Sequence, residues 1–103
     1  MVDKFEDVRQ QVLNFRDKRD WSRFHDPKNL AEAISIESAE LLENFLWMTT
    51  AESMSLAVEK RESIGQEIAD IFIYLTYLCD QLDINMLDEA TKKIKINEKR
   101  FPD

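Results

Sequence analysis

Glycine and proline are scarce in this 103-residue chain, one and two respectively. Folds rich in hairpins use both at their turns, so the shortage disfavours sheets and suits long helices with short connections. Cysteine is nearly absent too. The single Cys79 excludes an intramolecular disulfide, and its apolar neighbours at helical spacing mark it as a buried thiol of a reducing compartment. No apolar run approaches the roughly 20 residues of a membrane span. Met1-Val2-Asp3-Lys4 lacks the basic-then-apolar layout of a secretory signal, so a cytoplasmic location is expected. Positive charge is also short, with 14 Lys and Arg against 21 Asp and Glu and a net charge of -7. Such a surface has no general attraction for nucleic acid polymers or anionic membranes, and any phosphate ligand must be neutralised locally.

What is present is Glu, Lys, Leu, Ile and Ala in helical rhythm. Phe5, Val8, Val12 and Phe15 recur at three- and four-residue steps, which predicts an amphipathic helix over about 3–19. The stretch Asp20-Trp21-Ser22-Arg23-Phe24-His25-Asp26-Pro27 breaks the rhythm, and Asp26 before Pro27 suits an N-cap with proline in the first turn. A second helix carries Leu30, Ile34, Glu37, Leu41, Phe45 and Met48 on one seam and is predicted to reach about 48. Thr49 and Glu52 have capping-box spacing, so another helical segment begins near 50. It continues through Ile64, Ile68, Ile71, Leu75, Leu78 and Leu82, with Gly65 marking close packing or a bend. Asn85 can cap a last helix over about 86–100, stopped by Pro102. The fold class is therefore all-α, an antiparallel four-helix bundle in one domain over 1–103. A chain this small would gain from self-association as a homodimer or a dimer of dimers, a homotetramer.

Four acids do not suit their helix faces. Residues three apart on a helix differ by about 60° and project from adjacent turns, so Glu37 with Glu40 forms one pair and Glu67 with Asp70 another. Glu37 is in register with Ile34 and Leu41, while Glu67 and Asp70 flank Ile68 and Ile71. Inward carboxylates repel one another and lose hydration, at a cost of several kcal/mol for an uncompensated charge. A hard divalent cation resolves the conflict: Mg²⁺ takes oxygen ligands and keeps positions open for water and phosphates, and Mn²⁺ can substitute for it. Zinc is poorly served by one Cys and one His. Di-iron bundles need Glu-x-x-His, which the chain does not contain. An isolated Glu-x-x-Glu is ordinarily a solvated face; two pairs on inward faces of successive helices favour a metal site and two-metal phosphoryl chemistry. Glu43 and Glu62 read as surface acids.

The remaining candidates each have two readings. Trp21 and Trp47 either stack on a nucleobase or plug the bundle ends and an oligomer interface. His25 is a pocket ligand or a loop hydrogen-bonder. Lys93 and Asn97, four apart on the last helix, reach phosphate and sugar or base, or else sit as a snorkelling lysine and a surface asparagine. Tyr74, one turn beyond Asp70, reaches the site or the bundle edge. Lys99 and Arg100 are cations favoured by the helix C-terminus.

Glu37-Ser38-Ala39-Glu40 followed by Glu67-Ile68-Ala69-Asp70 resembles the paired acid motif of the all-α nucleoside triphosphate pyrophosphatases of the MazG type. The stretch from Arg19 to Leu30 and the ending Ile96-Asn97-Glu98-Lys99-Arg100-Phe101-Pro102 are similar to the small dCTP pyrophosphatase branch. The resemblance covers about 15–102. It implies hydrolysis of a (deoxy)nucleoside triphosphate between the α and β phosphates, giving monophosphate and pyrophosphate, as nucleotide-pool house-cleaning by a dimer or dimer of dimers. It implies that Glu37, Glu40, Glu67 and Asp70 ligate Mg²⁺, with Glu40 orienting the attacking water. By the same resemblance Trp21, His25 and Trp47 line the base pocket, and Tyr74, Lys93 and Asn97 contact sugar and phosphates. The branch often carries Phe-Gln-Trp-Lys where this chain has Phe45-Leu46-Trp47-Met48, a loss of polar groups that bears on base preference. The competing readings are a non-catalytic helical module binding a nucleotide or a protein, and a purely structural oligomeriser.

Overall fold

A computed structural model describes residues 3–103. Five α-helices are present among them, with no strand: α1 (Lys4–Lys18), α2 (Pro27–Glu43), α3 (Thr50–Glu59), α4 (Arg61–Gln81) and α5 (Met86–Arg100). A short 3₁₀ turn, Trp21–Phe24, links α1 to α2. The all-α reading is met. No helix among the described residues is long and apolar enough to cross a membrane.

The caps explain where the helices begin. Asp3 accepts from the Phe5 and Glu6 amides, Asp26 from Asn29 ahead of Pro27, and Asn85 from Asp88. Thr49 and Glu52 form the reciprocal capping box at the start of α3. Between α1 and the 3₁₀ turn, Asp20 adopts φ 55, a left-handed conformation that aspartate tolerates better than most residues.

Two boundaries differ from the periodicity. The second helix stops at Glu43 rather than 48, because the Asn44 amide takes up the Glu40 and Leu41 carbonyls and the chain turns through Phe45 and Met48. The break in the long helical stretch falls at Lys60, which separates α3 from α4. Gly65 lies inside α4 and does not mark close packing among the described residues, since a Cβ there would meet nothing within 4 Å.

The longest helix, α4, is the spine: α2 lies against it most extensively, and α1 and α3 also contact it. Leu13 of α1, Leu30 of α2 and Tyr77 of α4 form the buried core, with Val12, Ile73, Tyr74 and Leu78 packed round it. Leu30 is the most enclosed at 1% exposure, and a fully buried leucine contributes about 1.5–3 kcal/mol. Arg16 is buried beside this core, its guanidinium paired with Asp80 at 2.8 Å and Asp17 at 2.9 Å, which ties α1 to α4. Cys79 is half-buried rather than enclosed, and burial pushes its thiol upward.

Helix α5 is not packed along the others. Leu87, Ile94 and Ile96 on it are all about half exposed, at 46%, 58% and 54%. Among the described residues the helical bundle is therefore open, with the apolar residues of α5 largely uncovered by the other helices.

Candidate active site

The two acidic pairs fall on the helices that pack together most fully. Glu37 and Glu40 lie on α2, Glu67 and Asp70 on α4, each pair on one face by its three-residue spacing. Glu37 and Glu67 are half-buried; Glu40 and Asp70 are exposed. The four nevertheless share one electrostatic space. The Glu37 carboxyl is raised above its ordinary range by desolvation, then by the neighbouring charges of Glu40, Asp70 and Glu67. In the rotamers described, no three His, Cys, Asp or Glu side chains of residues 3–103 converge to metal-ligating distance. The donor set still fits a hard divalent cation by its chemistry: carboxylate oxygens only, crowded enough to disfavour ionisation of Glu37 without a positive charge among them.

Asn44 touches the acid cluster and was passed over by the spacing analysis. Besides closing α2 it donates from Nδ2 to Glu67 Oε2 at 2.9 Å, fixing one carboxylate of α4 from the end of α2. The available signal was the 37, 40, 44 progression, which puts Asn44 on the acid face of α2.

Beside Asp70 lies a hollow of about 450 Å³ lined by Gln11 and Phe15 of α1, Trp21 and His25 of the linking turn, and Asp70 and Tyr74 of α4. Phe15 and Trp21 meet edge to face at 5.5 Å, and His25 stacks on Tyr77 at 4.8 Å. His25 Nδ1 is buried without a hydrogen-bond partner among the described residues. Burial, and then the charge of Arg16, hold the imidazole below its ordinary pKa, so its neutral form is favoured. A second hollow, about 560 Å³ and polar, opens where α2, α3 and α4 meet, with Glu40, Glu43, Asn44, Lys60 and Glu67 on its walls. The acids therefore border both spaces: Asp70 the aromatic one, Glu40 and Glu67 the polar one.

Three of the six ligand-contact candidates are together, namely Trp21, His25 and Tyr74. The others are elsewhere in the single chain. Trp47 stands 91% exposed on the turn after α2 and lines neither hollow. Lys93, exposed, and Asn97, half-buried, ride on α5, and neither lines these hollows. Glu43 is exposed as expected but shares the polar hollow.

Residues 33–102 match the family model described as the MazG-like family. The chain belongs to the MazG-like family. It is 33% identical over 99 residues to dCTP pyrophosphatase 1 of Homo sapiens and 34% identical over 99 residues to that of Bos taurus. These alignments cover 94% of this chain, and 58% and 59% of the relatives, so the chain spans less than two thirds of their length. The solved structure of a pyrophosphatase from Archaeoglobus fulgidus superposes with a TM-score of 0.95 at 38% identity, covering 100% of this chain and 96% of that one. The all-helical, MazG-like architecture of this chain is thus shared along its whole length with a solved pyrophosphatase.

Proposed function

We propose that this MazG-like chain hydrolyses (deoxy)nucleoside triphosphates to the monophosphate and pyrophosphate, with Mg²⁺ as cofactor and a dCTP-like substrate preferred. The observation that carries the reading is that three of the acids border an aromatic hollow or a polar one, with Glu37 in the electrostatic reach of all three. A nucleotide has the same division, with a flat base at one end and a polyphosphate at the other. The relatives named dCTP pyrophosphatase 1 and the pyrophosphatase of A. fulgidus support the reaction class.

Glu37, Glu40, Glu67 and Asp70 would hold Mg²⁺, or Mn²⁺ in its place. Bound there, the cation supplies Lewis acidity at the phosphoryl oxygens and a water of lowered pKa. The protein's own groups do the rest. Trp21 and Tyr74 receive the base, and His25, neutral at physiological pH, offers a hydrogen-bonding edge beside them. Asn44 holds Glu67 in place, and Glu40, exposed at the mouth of the polar hollow, orients the attacking water. Lys60 on the same wall gives the phosphates a cation in a protein of net charge -7.

Trp47, Lys93 and Asn97 belong to this reading as residues that a neighbouring copy supplies, in a homodimer or homotetramer assembled through the apolar face of α5. The physiological role is nucleotide-pool house-cleaning in the cytoplasm. The test is incubation with dCTP and Mg²⁺ and identification of products by ³¹P NMR. Pyrophosphate and dCMP support the proposal. Orthophosphate with dCDP overturns it, and binding without turnover points to the non-catalytic module instead.

A further inference from the structure

Gln11 is the one amide side chain on the wall of the aromatic hollow, placed there by α1, while Asp70 and Tyr74 line it from α4. Its amide is biased towards one orientation by an exposed contact on its own helix. Nε2 donates to Asp7 Oδ2 at 2.9 Å, one turn earlier on α1. An ionised carboxylate only accepts hydrogen bonds, so this contact favours the nitrogen at that end and leaves Oε1 as the available acceptor. Turning the amide over would set Oε1 against the Asp7 carboxylate, a repulsive arrangement with no donor between them.

We infer that Gln11 is a base-reading residue whose Oε1 accepts a hydrogen bond from the exocyclic amine of a base seated in the hollow. Cytosine carries that amine; uracil and thymine carry a carbonyl oxygen at the same position and would face Oε1 acceptor to acceptor. The selection acts through mismatch as much as through attraction, because a polar group desolvated by the wrong base is left unpaired. Asp7 is the positioning residue that makes the selection one-sided. The inference rests on the nucleotide reading of the hollow given above and adds to it a residue that sets base preference.

The experiment compares wild type, Gln11→Leu and Asp7→Ala in two assays: kcat/KM for dCTP against dUTP, and calorimetric titration with dCMP against dUMP, which needs no turnover. Wild type should favour the cytosine member of each pair. Gln11→Leu should shrink that preference by about three- to tenfold, the range of one hydrogen bond to a neutral group, through KM rather than kcat. Asp7→Ala should shrink it less and by improving the uracil member, since the freed amide can then present Nε2. A preference unchanged by Gln11→Leu in both assays overturns the inference. So does a wild type that favours uracil. If the binding preference responds to Gln11→Leu while no nucleotide is hydrolysed, the base-reading role stands and the pyrophosphohydrolase reading falls.

Discussion

At Glu37 the pKa shift has a sign that can be put to work. A carboxyl whose folded pKa lies above 4.5 contributes stability below that value, and the contribution is lost as pH rises through the folded pKa. At pH 7 the ionised side chain therefore burdens the metal-free fold. Glu37→Gln should raise the melting temperature of chelator-treated protein at pH 7 and reduce the further rise that Mg²⁺ gives wild type. A lower melting temperature for the metal-free variant would count against a crowded carboxylate site. His25 carries the opposite sign for a base: its folded pKa lies below 6.5, so its contribution is full above 6.5 and declines as pH falls through the folded value. As the only histidine it can be followed without ambiguity, and its NMR titration midpoint should fall below 6.5. A midpoint at or above 6.5 would contradict an imidazole held neutral by burial and by Arg16.

Some candidate site residues were legible in sequence and others were not. Glu37 stood out because an acid on an apolar seam is an anomaly that needs a cause. Asn44 and Gln11 did not, because a polar residue near a helix end or on a charged helix is ordinary until its partners are known. Glu67 is 23 positions from Asn44 and is brought to it only by the packing of α2 on α4.

Among the elements, the capped starts of α2, α3 and α5 and the ends of α1, α4 and α5 were readable, while the end of α2 and the break between α3 and α4 were not. Asp26 with Pro27, Thr49 with Glu52, and Asn85 are local signals, and each caps a helix where its spacing placed it. The apolar seam continuing to Met48 hid the end of α2, since a side chain on a turn can stay in register with a helix that has stopped. Asn44→Ala removes both the cap and the bond to Glu67. It should cost about 10- to 100-fold in activity or metal affinity, as loss of a carboxylate's outer hydrogen bond does, while leaving the far-UV helical signal in place. Full activity would show that Glu67 needs no support. Gly65 offers a contrasting case. With ordinary helical backbone and nothing within 4 Å of an added Cβ, Gly65→Ala should stabilise the chain by about 0.5–1 kcal/mol in urea unfolding. Destabilisation would mean that another molecule packs against that face.

For the molecule as a whole, the radius of gyration is 16.5 Å, against about 13 Å for a compact domain of this length. Among the described residues three apolar side chains, Leu13, Leu30 and Tyr77, are buried, while Trp47, Met54, Val58, Ile94 and Phe101 are largely exposed. Apolar surface on this scale favours burial against another copy, and among the described residues those of α5 are left about half exposed. The chain should sediment as a dimer or larger species at micromolar concentration, with a melting temperature that rises with concentration. A monomer with concentration-independent melting would leave the exposed face of α5 without explanation. The bundle was legible as a fold class from sequence; its openness was not, because a heptad-like seam reads the same whether its partner is intramolecular or a second chain.

The most direct measurement is Mg²⁺-dependent release of pyrophosphate from dCTP by wild type and by Glu37→Gln, Glu40→Gln, Glu67→Gln and Asp70→Asn, each with its metal-free melting temperature. The expected result is turnover in wild type that chelation abolishes, loss of about 100-fold or more in every amide variant, and melting temperatures equal to or above wild type. Pyrophosphate release that survives in the variants, or is indifferent to chelator, would contradict a metal centre built from these four acids.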